Sequence, residues 1–158
     1  MGSLSAGVLG GLSAGAVASA VQVFGRDTGL VHRTLAENAR DRLTELVPPS
    51  SPLRPLAEND QVVHFGVAAV LGAAYGVLRP AFRWLPPSVA GALFGAGLYA
   101  VNVAQIAPKA GVTAGEDAAP PEVTRERLMV NIAFGVITAF VVASLVEGRE
   151  HHRAEDED

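Results

Sequence analysis

The chain has 158 residues, of which 49% are hydrophobic and 18% are charged, and its formal net charge is −4. This length favours a single domain, and the apolar fraction exceeds what a small soluble core needs. The absence of cysteine excludes disulfides, thiol catalysis and thiolate metal sites. No nucleic-acid partner is predicted.

Four segments that lack Asp, Glu, Lys and Arg define the predicted architecture. Each supplies about 18 or more residues, enough for a helix to cross a hydrocarbon layer of roughly 30 Å. Lipid cannot satisfy backbone polar groups, so each segment is expected to be helical. The sequence predicts an all-α, four-helix transmembrane bundle whose first partner is the lipid bilayer; the alternative is a soluble all-α core. The spans are expected at about residues 4–25, 61–79, 87–107 and 128–146.

The first span contains the stretch "GVLGGLSAGAVASA", residues 7–20, in which Gly7, Gly11 and Gly15 fall four apart. Association of helices in lipid depends on close backbone approach, which small residues allow. The stripe therefore predicts a helix-packing face, either within one chain or in a homo-oligomer or larger membrane complex. Helix-packing glycines are also predicted in the other spans, at Gly72, Gly76, Gly91, Gly95 and Gly135. No Lys or Arg precedes the stretch, so the segment is expected to be a retained span and not a secretory signal.

The connector between the first two spans is predicted to hold an amphipathic helix at about residues 28–47. Its apolar face would comprise Val31, Leu35, Ala39, Leu43 and Leu46. Such a helix is typical of the membrane surface, or it caps the bundle. Prolines beginning at Pro48 and Pro49 end it and predict a linker up to the second span. The connector over residues 109–126 is expected to be irregular, and residues 149–158 form an acidic solvated tail.

The distribution of Lys and Arg predicts the orientation. With four spans, the first and third connectors share one side of the membrane and carry eight of the 12 Lys and Arg residues. The termini and the second connector carry the other four. The excess of positive charge favours a cytoplasmic location for the first and third connectors.

Polar residues in or beside the spans are the candidate site, because intramembrane polar groups are expensive and face a bundle interior or lie near an interface. Asp60 and His64 lie four apart on one helix face, and such a pair could bind a cation or hold a proton near neutral pH. The alternative is that His64 hydrogen-bonds a neighbouring helix. Asn102, Gln105 and Asn131 are expected to join His64 in a network of interhelical hydrogen bonds.

Motifs of known chemistry are missing from the sequence. It has no zinc-protease, hydrolase, P-loop or dinucleotide-binding pattern. A haem held by two histidines would need a second intramembrane histidine beside His64. No catalytic residue, metal or cofactor is predicted. Two functions remain open: a structural or accessory membrane protein, and a small transporter or channel subunit that forms a pore as an oligomer.

Two stretches carry a family resemblance. "HFGVAAVLGAAYGVLRP", from His64 to Pro80, resembles the second helix of the YagU-like family of bacterial inner-membrane proteins. "GALFGAGLYAVNVAQIAPKAGVT", from Gly91 to Thr113, is similar to that family's third helix. The likeness covers most of residues 7–146 and implies a multi-pass protein of the inner membrane without an assigned activity. Tyr99 and Asn102 depart from the family's Trp and His positions, so no polar site is carried over.

Overall fold

The computed structural model describes residues 2–27 and 35–155, with side chains described for 2–20 and 37–146. Every regular element in this part of the chain is helical. The α-helices are α1 (Ser3–Asp27), α2 (Leu35–Leu46), α3 (Arg54–Ala57), α4 (Asp60–Leu78), α5 (Pro87–Leu98), α6 (Ala107–Lys109) and α7 (Pro121–Glu155). A π-helical segment, Tyr99–Ile106, joins α5 to α6, and 3₁₀ turns occupy Arg79–Phe82 and Glu116–Ala118.

Four helical stretches of the described chain are long and apolar enough to cross a membrane, as the sequence predicts. They are span one (Ser3–Ala20), span two (Asp60–Phe82), span three (Pro87–Lys109) and span four (Pro121–Val146). The chain therefore has the helices of a multi-span membrane protein.

The start of span four corrects the expectation that residues 109–126 are irregular. Helix α7 begins at Pro121, seven residues before the predicted start. Proline is favoured at the first position of a helix, because an N–H there would have no partner inside the helix and because the φ of proline is already helical. Glu122 in the first turn adds a favourable interaction with the helix dipole. At its other end α7 continues to Glu155, so the helix extends into the predicted tail.

Span one has two neighbouring spans in the bundle. It packs on span two along one side and on span four along another, while span three packs on span four. The order of the spans around the bundle is therefore two–one–four–three. Span one can take two neighbours because small residues cover two of its faces. Gly10, which lies outside the predicted stripe of glycines, faces span four, and a Cβ there would lie 2.9 Å from the carbonyl oxygen of Thr138.

The contact between spans one and two is made backbone to backbone. A Cβ added to Gly11 would overlap the carbonyl oxygen of Ala68 and lie 2.8 Å from the Cα of Gly72. One turn away, a Cβ on Gly7 would lie 2.9 Å from the Cα of Gly76. A real Cβ does not approach a backbone atom this closely, so only glycine fits these positions. At Gly15 the contact is looser, since an added Cβ would meet the methyl group of Ala68 at 2.9 Å.

Spans three and four meet in the same way. A Cβ on Gly91 would lie 2.6 Å from the Cα of Val136, and one on Gly95 would lie 2.6 Å from the Cα of Ile132. From the other side, a Cβ on Gly135 would lie 2.8 Å from the backbone nitrogen of Gly95. All eight predicted packing glycines thus contact helices of their own chain.

Spans two and three meet through side chains, near the turn that joins them. The rings of Tyr75 and Phe94 pack edge to face, with centroids 5.1 Å apart. Both residues belong to a buried cluster with Ala6, Ala139 and Val142. The bundle is therefore closed at the end that carries the second connector.

The first connector folds back onto its own helices. Arg54 in α3 donates hydrogen bonds to the carbonyl oxygens of Thr44 and Val47, which lie at and just beyond the last turn of α2. These bonds satisfy carbonyl groups that have no partner inside the helix. Residues 48–60, predicted as a linker, therefore include a helical turn. A helix is observed over Leu35–Leu46, within the segment predicted to be amphipathic, and residues 28–34 of that segment lie outside the described residues.

Candidate functional site

A cavity of about 260 Å³ lies between the four spans, at the end that carries the first and third connectors. Each span contributes to its lining: Gly15 from span one, His64 from span two, Asn102 from span three and Asn131 from span four. Ala39 of α2 also lines it, so the first connector closes part of this end. Three of the five predicted polar residues thus surround one space, which we call the inter-span cavity.

His64 bonds across to the neighbouring helix. Its Nε2 lies 3.0 Å from the carbonyl oxygen of Gly15, so this nitrogen carries the proton and donates. The ring also packs edge to face on Phe65, with centroids 5.3 Å apart. In the neutral ring the second nitrogen, Nδ1, remains an acceptor. Gly15 thereby serves two purposes: it lets the helices approach, and its carbonyl holds His64.

Asp60 lies apart from the inter-span cavity. As the first residue of α4 it faces Arg40 of α2, whose Nη1 is 3.1 Å from each carboxylate oxygen. Asp60 and His64, predicted as a pair, therefore have different partners. Among the residues whose side chains are described, no group of three or more His, Asp or Glu is arranged to hold a metal ion.

The π-helical segment separates Asn102 from Gln105. Asn102 is half-buried and lines the inter-span cavity, whereas Gln105 is exposed and does not. A π-helix bonds residue i to i+5 and so takes more residues per turn than the 3.6 of an α-helix. Residues three apart therefore no longer share a face, so the structure brings Asn102 but not Gln105 to the cavity beside His64.

Asn131 is held by its own helix. Its Nδ2 donates to the carbonyl oxygen of Arg127 at 2.8 Å, one turn earlier in α7. In the described part of the chain no hydrogen bond connects His64, Asn102 and Asn131 to one another. The expected interhelical network is thus reduced to the single bond between His64 and Gly15. The side chain of Asn102 has no hydrogen-bond partner among the described residues.

The rim of the inter-span cavity is apolar. Val67 of span two is 45% exposed, Ile106 of span three is 51% exposed and Val130 of span four is 40% exposed. All three belong to candidate membrane-spanning helices, and their exposed side chains lie on the lateral surface of the bundle. The cavity is therefore reached from the side of the bundle.

A second polar cluster lies where span three meets the third connector. Glu116 accepts a hydrogen bond from the Tyr99 hydroxyl at 2.8 Å and one from Arg127 Nη1 at 2.6 Å. Its side chain is only 13% exposed. Burial alone would raise the pKa of Glu116, but hydrogen bonds from Tyr99, Arg127 and Thr124 outweigh it and lower that pKa. The cluster fastens the third connector to spans three and four.

Sequence reasoning missed this cluster because Glu116 lies in an acid-rich connector that resembles a solvated loop. The available signal was the preceding Gly115, whose φ of +99° belongs to the region that favours glycine. That backbone conformation turns the chain immediately before Glu116.

Comparison of the chain with protein-family models, with curated proteins and with solved structures finds no match. The resemblance to the YagU-like family therefore stays a prediction.

Proposed function

We propose that this chain is a structural or accessory protein of a bacterial inner membrane, which associates with itself or packs on another membrane complex. The observation that supports this most is the backbone contact between helices. Gly11 against Gly72, and Gly91 against Gly135, join two helix pairs without intervening side chains. A bundle closed in this way resists deformation, because a packed backbone has no side chain that can rotate aside. A rigid bundle suits a protein that acts by presenting its outer surface to other membrane proteins.

The first connector supports a position at the membrane surface. Three leucines at the end of α2 and in the following turn are unusually exposed: Leu46 is 64%, Leu53 59% and Leu56 51% exposed. Apolar side chains beside charged ones suit the boundary between headgroups and acyl chains. Together with the excess of Lys and Arg in the first and third connectors, this favours α2 on the cytoplasmic surface.

Measuring the mass of the complex extracted from native membranes tests the accessory function. Extraction into lipid nanodiscs, followed by mass spectrometry of the intact assembly, should give a mass above the 16.3 kDa of one chain. Two copies would indicate self-association, and a different partner would identify the complex. A single chain, recovered alone under conditions that keep a known complex of the same membrane intact, contradicts the proposal.

A second candidate function, a subunit of an oligomeric transporter or channel, is favoured by the meeting of His64, Asn102 and Asn131 at one cavity. The ring pair of Tyr75 and Phe94 closes the opposite end of the bundle, so a continuous path would need a second chain. Ion or solute flux into liposomes, compared between the wild type and Asn102→Leu, tests this function. Equal flux in protein-free liposomes contradicts it.

A further inference from the structure

We propose that the inter-span cavity binds an uncharged molecule with an alkyl chain and one hydroxyl group, which enters from the bilayer and hydrogen-bonds Asn102. This goes beyond the accessory function, because binding is a property of one chain and does not depend on a protein partner.

The lining of the inter-span cavity decides the charge of the ligand. It consists of apolar side chains with three polar ones, His64, Asn102 and Asn131, and includes no Asp, Glu, Lys or Arg. A charged group placed there would leave water without gaining a counter-charge, which is expensive. Asp60, the nearest carboxylate along α4, is already bound by Arg40 outside the cavity. An uncharged ligand avoids this cost.

The hydrogen-bonding groups that remain free in the inter-span cavity indicate which polar group the ligand carries. His64 has committed Nε2 to Gly15, and Asn131 has committed Nδ2 to Arg127. What remains is the whole amide of Asn102, together with an acceptor on each of the other two side chains and the second N–H of Asn131. A hydroxyl group both donates and accepts, so it can bond the Asn102 amide and one of these acceptors at once.

The backbone at Asn102 is also unusual. The side chain projects from a π-helical segment of eight residues, Tyr99–Ile106. Such segments are rare and often mark functional sites. Here the π-helix turns Asn102 into the cavity while Gln105, three residues later, stays outside.

The size and rim of the inter-span cavity decide the rest of the ligand. An engineered cavity of about 150 Å³ holds benzene, with its six non-hydrogen atoms. By that ratio about 260 Å³ accommodates a molecule of about ten non-hydrogen atoms. The exposed valines and isoleucine of the rim favour entry of an alkyl chain directly from lipid.

The experiment uses 3-azioctanol, an eight-carbon alcohol with a photoreactive diazirine, on the full chain in nanodiscs. Mass spectrometry of the labelled peptides should place saturable adducts on rim residues such as Val67 and Val130. Excess n-octanol should remove these adducts, and n-octane, which lacks the hydroxyl, should be a much weaker competitor. Adducts spread over lipid-facing residues such as Val70, without saturation, would overturn the proposal.

Two pairs of variants locate the site. Asn102→Leu should weaken saturable labelling about fivefold, as expected for one lost hydrogen bond of about 1 kcal/mol. Gln105→Leu, the matched change in the same π-helical segment, should leave labelling unchanged. Equal effects of these two substitutions overturn the role of Asn102.

The second pair blocks the rim and does not depend on folding of the Asn102 variant. Val67→Phe narrows the entrance and should abolish saturable labelling. Val70→Phe makes the same change at a site that is 68% exposed and outside the cavity, and should have no effect. Saturable labelling that survives Val67→Phe would refute binding in the cavity.

Discussion

Gly11→Ala should destabilise the bundle, because span one and span two touch through their backbones at this position. The added Cβ would overlap the carbonyl oxygen of Ala68 and lie 2.8 Å from the Cα of Gly72, whereas ordinary contact begins at 3.4 Å. Restoring ordinary contact with the Cα of Gly72 alone separates the two helices by about 0.6 Å at this level, and relieving the overlap with Ala68 requires more. A gap of about 0.5–1 Å forfeits a quarter to a half of the dispersion energy of each affected contact. Neighbouring contacts at Gly7 and Gly15 would weaken as well.

The magnitude comes from two opposing effects. Overpacking of a close contact costs about 1–3 kcal/mol. Replacing glycine by alanine inside a helix returns up to about 1 kcal/mol. Gly66→Ala is the matched control, since a Cβ on Gly66 in α4 meets nothing within 4 Å. Both variants gain the same helix propensity, so the difference between them isolates the overpacking cost.

The assay is the free energy of unfolding in mixed micelles, titrated with a denaturing detergent and followed by circular dichroism. Gly11→Ala should be about 1–3 kcal/mol less stable than Gly66→Ala. If the two variants are equally stable, or Gly11→Ala is the more stable, spans one and two do not contact each other through their backbones at Gly11.

Three further predictions concern the polar residues and the orientation. Because the pKa of Glu116 is lowered in the fold, its bonds stabilise the fold above the unfolded pKa of about 4.3 and are lost as pH falls through the lower folded pKa. The free energy of unfolding, measured from pH 7 to pH 3, should show this loss. Glu116→Gln should make that free energy less dependent on pH and should lower it by about 1.5 kcal/mol at pH 7. If the wild type and Glu116→Gln show the same dependence of stability on pH, the ion pair does not stabilise the fold. His64→Leu should lower the free energy of unfolding by about 1 kcal/mol, because the hydrogen bond to Gly15 is lost. His64→Gln should retain most of this stability, because its amide nitrogen reaches a similar position. Equal losses of stability in the two variants would exclude the hydrogen bond as the cause. Reporter fusions after Ser50 and at the C-terminus should report opposite sides of the membrane, with Ser50 in the cytoplasm; a shared side contradicts the four-span arrangement, and a reversed result contradicts only the charge argument.

Hydrophobic patterning was sufficient to predict the four spans, because charge-free stretches of this length have few alternatives to a membrane helix. The helix-packing glycines follow from the same logic, since a stripe of small residues has little other use in lipid. The stripe does not reveal which helix it meets. Gly10 shows the limit: it forms a second stripe of small residues with Ala6 and Ala14, but only the fold shows that this residue faces span four.

The polar residues were harder to place, because small changes in backbone geometry redirect them. Gln105 points outward because the helix around it is a π-helix, and the residue types in this segment do not predict a π-helix. Asp60 is drawn away from His64 by Arg40, which is twenty residues earlier in the chain. Glu116 becomes half of an ion pair only because the third connector folds back on Arg127. Each of these outcomes depends on tertiary contacts that a reading along one helix cannot contain.

The order two–one–four–three around the bundle has a consequence for how the chain assembles in the membrane. The first two spans form one hairpin and the last two form another, and each hairpin has its own glycine contacts. During synthesis the first hairpin can close before the second has left the ribosome, because its glycine contacts lie between spans one and two alone. The two hairpins are then united mainly by the face between the first and last spans. The bundle therefore becomes complete only when the final helix is inserted, and until then Gly10 and the small residues around it remain open to lipid.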